Sequence, residues 1–349
     1  MKNIYKKKST IFFTNENRGE NVSKINSEEI GEIKSLTTLK INTQFFNNSK
    51  MFRMLGRETN LQSSSKEIQI NEKIVNLLDI QSNEKISLSD RITPFDMAVM
   101  DAVYTIICSG QKVVVLEWIS KILSGNMQEK DSSEKKEEEI RKSIEKLKNI
   151  ECTIDCTEEF NEYRRQRKKK PLSNWTFKGS LLPLVEEVEV SYQSNGKKVV
   201  AYPIYVVPAI YRYAKANNQI ISVPNEYFLT NGKINNTTES IIIKRYVIKR
   251  IAQMIKCKNM NSNRLSFLWL DNNSADEKER GLYPELGYVP DDSNTWNKKT
   301  KPKIKKIVES TLGCLKEKNI ISNYKPYKEK GSKSVIGFQI FFSENTKDF

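Results

Sequence analysis

Lysines concentrate toward the C-terminal end of this 349-residue chain. Between residues 297 and 333 there are twelve lysines and three acids, a surplus of nine positive charges in 37 residues, and the formal charge of the whole chain is +15. An exposed lysine ammonium is a compact cation that neutralises phosphate. The chemistry that this spacing indicates is therefore binding of phosphate groups.

Candidate phosphate-binding residues form three groups. The first consists of Asn297, Lys298, Lys299, Thr300, Lys301, Lys303, Lys305 and Lys306. The second consists of Lys325, Lys328, Lys330 and Lys333. The third is the run Arg164, Arg165, Arg167, Lys168, Lys169 and Lys170, which we interpret as a basic loop that either stays solvated or contacts phosphate.

Several enzyme classes are excluded because the chain contains no histidine. Histidine zinc sites, Ser-His-Asp and Cys-His nucleophile systems, and the paired-histidine metal site of rolling-circle nucleases all need an imidazole. A phosphate loop for ATP is also absent, since Gly331–Ser334 lacks the earlier glycine of that motif. We expect no ATP-driven step from this chain alone.

The remaining reactive side chains fit structural roles better than catalytic ones. The five cysteines are scattered and odd in number, which favours reduced thiols over a disulfide framework, and Cys152 and Cys156 lack further ligands for a metal. Carboxylates such as Glu186, Glu187, Glu189, Asp291 and Asp292 could build a Mg²⁺ nuclease site, but a solvated strand and an ordinary loop explain them better. We therefore predict no catalytic residue, no metal and no cofactor, although no feature excludes a tyrosine nucleophile.

The first half of the ordered chain predicts helix, strand, helix, helix and hairpin. Thr93 and Pro94 begin a helix that ends at Ser109 and Gly110. A strand at 113–115, a helix at 116–123 and a helix at 133–148 follow, and after a strand at 152–156 the segments 181–190 and 197–206 flank the turn 194–196. This is the order of a winged helix.

The second half repeats the order. A helix capped by Thr237 or Thr238 runs to Lys256, with one apolar side and with Arg245, Lys249 and Lys256 on another side. A short apolar run and a weak helix follow. Thr300 is predicted to cap a helix to Lys318, and strands at 319–324 and 334–342 flank a loop at 325–333. The triplets Ile140, Ile144, Leu147 and Val308, Leu312, Leu315 have the same spacing, which suggests a duplication.

The predicted fold class is α+β, with two tandem winged-helix domains after a flexible N-terminal arm. We assign residues 1–86 to the arm, with a short helix at 74–78, residues 87–225 to the first domain and residues 226–349 to the second. The lysine groups fall on the third helix and the wing of the second domain, the parts that approach a duplex in such folds. The first domain's third helix begins with Glu134 and Glu137–Glu139, so either its later cations Arg141, Lys142, Lys146 and Lys148 contact DNA, or this domain mainly forms a homodimer.

Three stretches resemble replication initiator proteins of plasmids and conjugative elements in low-GC Gram-positive bacteria. They are Leu88–Val99, the pattern from Ile140 to Asp155, and Tyr211–Pro224. The resemblance covers about residues 88–342 and implies a protein that binds repeated origin sites in double-stranded DNA, opens an AT-rich segment and recruits a host helicase or its loader. It places the recognition helix at 298–306 and the wing at 325–333, and the segment 264–290 departs from the compact pattern of the family.

Two other functions remain as alternatives: a transcriptional repressor with two winged helices, and a metal-dependent nicking enzyme. No apolar run reaches the roughly 18 residues of a membrane span, and no apolar signal segment follows the basic start, so we expect no membrane contact and a cytoplasmic location.

Overall fold

The computed structural model describes residues 38–42, 65–70, 73–79, 92–128, 133–155, 157–184, 186–191, 198–216, 220–230, 232–256, 264–267, 281–288, 293–328 and 334–342. The helices in these ranges are α1 (Pro94–Cys108), α2 (Leu116–Ser124), α3 (Glu134–Lys148), α4 (Thr157–Gln166), α5 (Ala209–Ala216), α6 (Thr238–Lys256), α7 (Leu282–Glu285) and α8 (Lys301–Glu317). A 3-10 turn covers Asn225–Phe228, and a π-helical turn covers Trp296–Thr300.

The strands in the same ranges are β1 (Thr38–Asn42), β2 (Ser65–Ile70), β3 (Lys73–Asp79), β4 (Val113–Val115), β5 (Ile150–Asp155), β6 (Thr176–Ser180), β7 (Val188–Ser191), β8 (Lys198–Pro203), β9 (Ile220–Pro224), β10 (Arg264–Ser266), β11 (Asn323–Lys328) and β12 (Val335–Phe341).

Helix α1 begins as the sequence predicts. The Thr93 hydroxyl accepts a hydrogen bond from the Asp96 backbone N–H (3.1 Å), and the Asp96 carboxylate accepts one from the Thr93 backbone N–H (2.6 Å). This reciprocal capping box pairs two backbone donors that would otherwise have no partner at a helix start. Pro94, at the first helical position, lacks an N–H there and fixes the entry angle of the chain.

The two halves of the chain share one topology, and the predicted α+β fold with tandem winged helices is confirmed. In the first half β4 lies between α1 and α2 and pairs with β8, so the sheet order is β4–β8–β7. In the second half β10 lies between α6 and α7 and pairs with β12, so the order is β10–β12–β11. In both cases the strand after the first helix pairs with the second strand of the hairpin.

The third helices of the two halves bury matching triplets. Ile140, Ile144 and Leu147 of α3, and Val308, Leu312 and Leu315 of α8, are all 0% exposed. Removing such side chains from water supplies most of the free energy that holds a third helix on its core. The shared spacing is therefore a structural repeat.

The first half carries an insertion between its third helix and its hairpin. Strand β5, helix α4 and strand β6 lie there, and β5 pairs with β3 and β6 in a four-stranded antiparallel sheet of order β2–β3–β5–β6. Strand β1 pairs with β9, with Leu39 opposite Val223.

Three segments of the predicted N-terminal arm, 38–42, 65–70 and 73–79, form strands. The short helix predicted at 74–78 is wrong, because these residues belong to β3. Strand pairing with β5, far along the chain, supplies the backbone hydrogen bonds, and a short apolar run does not distinguish helix from strand. The rest of the arm lies outside the described residues.

Helices α1 and α6 join the two winged helices through buried polar groups. Arg245 and Lys249, on the side of α6 away from its predicted apolar face, are 1% and 0% exposed, so this side is buried as well. Arg245 forms an ion pair with Asp101 of α1, whose carboxylate also accepts a hydrogen bond from the Tyr211 hydroxyl (2.6 Å). Lys249 pairs with Glu285 of α7 (3.3 Å).

Residues 32–349 form one compact unit, within which all of the described residues lie. The domain boundary predicted between residues 225 and 226 stays a prediction. None of the helices in the described part of the chain is long and apolar enough to cross a membrane.

Candidate nucleic-acid interface

Helix α8 is entered through a widened turn, not at the predicted cap. Thr300 has helical angles and makes no capping bond, so the prediction of Thr300 as the N-cap is wrong. The cap is Ser293, whose hydroxyl accepts a hydrogen bond from the Trp296 backbone N–H (3.1 Å). Trp296 is buried and packs edge-on against Tyr283, with ring centroids 5.1 Å apart, which fixes the start of the helix.

Pro302 accounts for the π-helical turn. A proline lacks the N–H for an ordinary helical bond, and its ring crowds the carbonyl four residues earlier, here that of Lys298. The Lys301 N–H bonds instead to the Trp296 carbonyl, five residues earlier, which widens the turn. The helical surface that carries the lysines therefore begins before Lys301 and includes Asn297, Lys298 and Lys299.

The predicted residues of this turn and of the first half of α8 lie on its solvent side. Asn297, Lys298, Lys299, Lys303 and Lys306 are exposed, and Thr300, Lys301 and Lys305 are half-buried. The opposite side, with Ile304, Ile307 and Val308, is buried. The structure thus brings the whole first group of candidates together on one helix start.

Among the described residues, carboxylates neutralise only part of this charge. Lys303 forms an ion pair with Glu239 at the start of α6, and Lys305 lies 3.7 Å from Glu309. Within the described ranges no carboxylate pairs with Lys298, Lys299, Lys301 or Lys306. These four cations, together with the positive end of the helix dipole, form a surface suited to phosphate.

The second group lies on a strand rather than in a loop. Lys325 and Lys328 are exposed residues of β11, so the predicted loop at 325–333 begins too early, and Lys330 and Lys333 lie outside the described residues. The strand starts later than predicted because of the way in which α8 ends. Asn319 adopts φ +58°, its N–H bonds to the Lys316 carbonyl (3.0 Å), and the Ile320 N–H bonds to the Leu315 carbonyl (2.9 Å). This helix stop moves the strand start from residue 319 to residue 323.

The wing is attached directly to the helix. The Tyr324 hydroxyl donates to the Glu309 carbonyl (3.4 Å), and the Lys316 ammonium donates to the Asn323 amide oxygen (3.0 Å). Both bonds link α8 to the first residues of β11, so the two lysine groups belong to one continuous part of the second winged helix.

The third group is an ordered helix end, so the prediction of a basic loop is wrong for Arg164, Arg165 and Gln166. These residues close α4, and Lys168 has φ +54°. The Lys169 N–H bonds to the Arg164 carbonyl (2.9 Å) and the Lys168 N–H to the Arg165 carbonyl (3.0 Å), which is the Schellman arrangement. Positive charge at this end is favourable for the helix dipole, and Arg167, Lys168, Lys169 and Lys170 are exposed.

The third helix of the first domain differs from α8 because its later cations are paired. The pairs are Arg141 with Glu187 (2.6 Å), Lys142 with Glu138 (3.6 Å), Lys146 with Asp96 (2.7 Å) and Lys148 with Glu145 (3.1 Å). At its start, Glu139 accepts a hydrogen bond from the Thr238 hydroxyl (2.6 Å) of α6. Helix α3 therefore offers less free positive charge and contacts the second domain.

The carboxylates considered for a nuclease site have other contacts. The Glu187 carboxylate accepts a hydrogen bond from the Tyr202 hydroxyl (2.9 Å), and that of Glu186 accepts one from the Tyr205 hydroxyl (2.8 Å). No group of three or more acids and cysteines suited to a metal ion occurs in the part of the chain that is described, which does not include Asp291, Asp292 or Cys156.

Sequence reasoning missed Arg264, the first residue of β10. Its guanidinium lies over the Tyr327 ring, 4.5 Å from the ring centroid. The one sequence signal was its neighbour Leu265. Leu265 is buried, and because side chains alternate along a strand, Arg264 faces the opposite side of the sheet.

No family model matches the chain, and no curated protein matches it by sequence. Solved structures are similar to it, including two of RctB. A crystal structure of selenomethionine derivatives of domains 2 and 3 of RctB is 14% identical, with a TM-score of 0.39, and the match covers 85% of this chain and 97% of that chain. Another crystal structure of RctB domains 2–3 is 10% identical, with a TM-score of 0.36, and the match covers 84% of this chain and 95% of that chain. Similarity at this level does not define the family of the chain.

Proposed function

We propose that this protein is a sequence-specific double-stranded DNA-binding protein that initiates replication at repeated sites of a plasmid-type origin. The start of α8 enters the major groove, and β11 and the adjoining turn contact the flanking backbone. The first winged helix makes the smaller contribution to DNA binding and serves in a homodimer.

The observation that carries DNA binding is a set of lysines on a solvent-facing helix start that no described carboxylate neutralises. Lys298, Lys299, Lys301 and Lys306 have no carboxylate partner among the described residues, while the corresponding helix of the first domain has its later cations paired. Self-repulsion of such a cluster destabilises a folded chain, and a bound polyanion removes that repulsion. The initiator role is supported by the resemblance of residues 88–342 to plasmid initiators, which also supports a host helicase or loader as a partner and a cytoplasmic location.

We further propose that the protein has no catalytic activity of its own and needs no cofactor. The hydrogen bonds of Glu186 and Glu187 to tyrosine hydroxyls support this, since a metal site would need these oxygens as ligands. Supercoiled origin plasmid incubated with the protein and Mg²⁺ should stay unnicked on an agarose gel. Nicking that disappears in Glu186→Gln would contradict the proposal.

Replacing Lys298, Lys299 and Lys301 together by alanine should weaken binding to duplex DNA by at least about tenfold. Each lost phosphate contact should also make the log–log dependence of affinity on salt shallower by up to about 0.9. Fluorescence anisotropy on a labelled duplex at several salt concentrations measures both quantities.

The matched control removes the same charge elsewhere: Lys112, Lys135 and Lys215 are also exposed lysines, before β4, on α3 and on α5. Their triple alanine variant should keep nearly the full salt slope. If both triple variants lose affinity equally, then the α8 lysines act only through net charge, and the proposed interface is wrong.

A further inference from the structure

The sheet β10–β12–β11 has a buried face and an outward face with opposite chemistry. Leu265, Phe338 and Ile340 point inward and are 0% exposed. Because side chains alternate along a strand, the intervening residues point outward. Five of these outward residues, Arg264, Lys325, Tyr327, Gln339 and Phe341, are here called the wing-face cluster.

The register places three of these residues in one row across the sheet. Gln339 of β12 is opposite Arg264 of β10 on one side and opposite Lys325 of β11 on the other. The Arg264 Nε donates to the Gln339 amide oxygen (3.4 Å), so the central glutamine orients the arginine. A polar row therefore crosses all three strands.

Each cation in this row lies against an aromatic ring. The Arg264 guanidinium is 4.5 Å from the centroid of the Tyr327 ring, and its Nη1 lies 3.5 Å from the Tyr327 hydroxyl. The Lys325 ammonium is 5.6 Å from the centroid of the Phe341 ring. Attraction between a cation and an aromatic face holds a long side chain in place without neutralising its charge.

Gly337 leaves room for this arrangement. It lies opposite Ser266 on one side and Tyr327 on the other, between Arg264 and the ring on which the guanidinium stacks. A Cβ at this position would lie 2.3 Å from the Leu265 carbonyl oxygen, so any other residue would force β10 away from β12. The glycine keeps the strands close and places no side chain between the arginine and the tyrosine.

The cluster has no negative charge. None of the outward residues of the described strands is Asp or Glu, and among the described residues no carboxylate pairs with Arg264 or Lys325. Phe341 is nevertheless 38% exposed, one of three large apolar side chains described as exposed. An arginine that is already ordered and has no carboxylate partner among the described residues is preorganised for bidentate contact with two oxygens of one anion, and a backbone phosphate presents two such oxygens.

We propose that the wing-face cluster binds a backbone phosphate of the same DNA duplex, with Arg264 as the bidentate contact, Lys325 and Gln339 as its neighbours, and Phe341 against the adjoining sugar. This inference rests on the proposed function and extends the interface from helix α8 onto a sheet face that carries no predicted contact except Lys325. Arginine suits this place better than lysine because its planar fork donates two parallel bonds while it stacks on Tyr327.

The test compares Arg264→Ala and Arg264→Lys with Lys135→Ala, an exposed cation on α3, in the full chain. Duplex affinity of Arg264→Ala should fall about tenfold, with a salt slope shallower by about 0.9, and Arg264→Lys should lose affinity but keep the slope. The control should change neither quantity. Arg264→Ala that behaves like Lys135→Ala would overturn the inference.

The result for the α8 lysines separates the two hypotheses. If Lys298, Lys299 and Lys301 matter and Arg264 does not, then only the wing-face cluster is wrong; if neither matters, then the proposed function fails first. Contact is tested directly by Phe341→p-benzoylphenylalanine, which should crosslink to labelled duplex under ultraviolet light. Absence of the crosslink, or a crosslink only to single-stranded oligonucleotide, would also overturn the inference.

Discussion

At the residue scale, two positions with positive φ end two of the helices that carry candidate phosphate-binding residues. Lys168 and Asn319 are the non-glycine residues with φ near +55° in the described ranges, and each lies directly after a helix that carries lysines or arginines. Residues with a Cβ, apart from asparagine and aspartate, adopt this conformation at a free-energy penalty of about 1 kcal/mol. Asn319 is therefore well suited to its position, and Lys168 is not.

Replacing Lys168 by asparagine should raise the free energy of unfolding by about 0.5–1 kcal/mol, because the Schellman turn stays and the penalty falls. Urea denaturation measures this free energy of unfolding. Lys169→Asn, with the same change of charge at the next residue, should leave stability within about 0.5 kcal/mol of the wild type. Equal stabilisation by both would mean that charge, rather than the backbone conformation, limits stability here.

The exposure of the α8 lysines could be predicted from sequence, and the burial of Arg245 and Lys249 could not. The lysines follow the helical period, with Ile304, Val308 and Leu312 marking the inner side. Arg245 and Lys249 follow the same period on α6, but their partners Asp101 and Glu285 are far away in the chain. A local pattern contains no information about such partners.

At the element scale, capping residues predicted helix ends correctly where the capping contacts are between residues close in sequence. Thr93, Pro94 and Asp96 begin α1 as expected, and Gly125, with φ +75°, ends α2. The start of α8 was misplaced because Pro302 marks an early helical position in most helices, whereas here it widens a turn that has already begun at Ser293. Strands β1, β2 and β3 were not predicted. β1 and β3 pair with strands far along the chain, β9 and β5, and β2 pairs with β3, whose own sequence pattern does not identify it as a strand.

The contact of α6 with α7 provides a test of the buried ion pair. Glu285→Leu should lower the free energy of unfolding by about 3–5 kcal/mol, because it leaves the Lys249 ammonium buried without its carboxylate. The double variant Lys249→Met with Glu285→Leu should recover most of that loss. Chemical denaturation of the two single variants and the double variant measures these free energies. If the double variant loses as much stability as the two single variants together, the two side chains do not pair directly.

The same pair predicts a pH dependence. Burial lowers the pKa of Lys249 to about 8, although Glu285 raises it in part, while a lysine in the unfolded chain titrates near 10.4. Between these values the unfolded chain binds the proton that the folded chain has released. The free energy of unfolding should therefore rise with pH in this window, by up to about 1.4 kcal/mol per pH unit from this group.

Buried tyrosines act in the opposite direction at higher pH, because burial raises the pKa of Tyr211 and Tyr246. Subtracting the unfolding free energy of Lys249→Met from that of the wild type isolates the contribution of Lys249 titration. This difference should become more positive between pH 8 and pH 10. Parallel curves for the two proteins would show that Lys249 keeps its proton throughout this window.

At the scale of the whole molecule, two copies of one fold carry different electrostatics. In α3 the later cations are paired with acids, and in α8 four lysines at the helix start have no acidic partner among the described residues. Asp101 and Arg245 hold the two copies together through α1 and α6. The duplication and its order of elements could be predicted from sequence, whereas the contact between the copies depends on tertiary packing.

The central claim is that this molecule binds specific duplex sites through the second winged helix. The most direct measurement is fluorescence anisotropy of the purified protein on duplexes tiled across its own gene and upstream DNA, at two salt concentrations with excess competitor DNA. We predict that one fragment with repeated sites beside an AT-rich tract retains tight binding at the higher salt. A single palindrome in that fragment would favour a repressor, and uniform, salt-sensitive binding to every fragment would contradict the central claim.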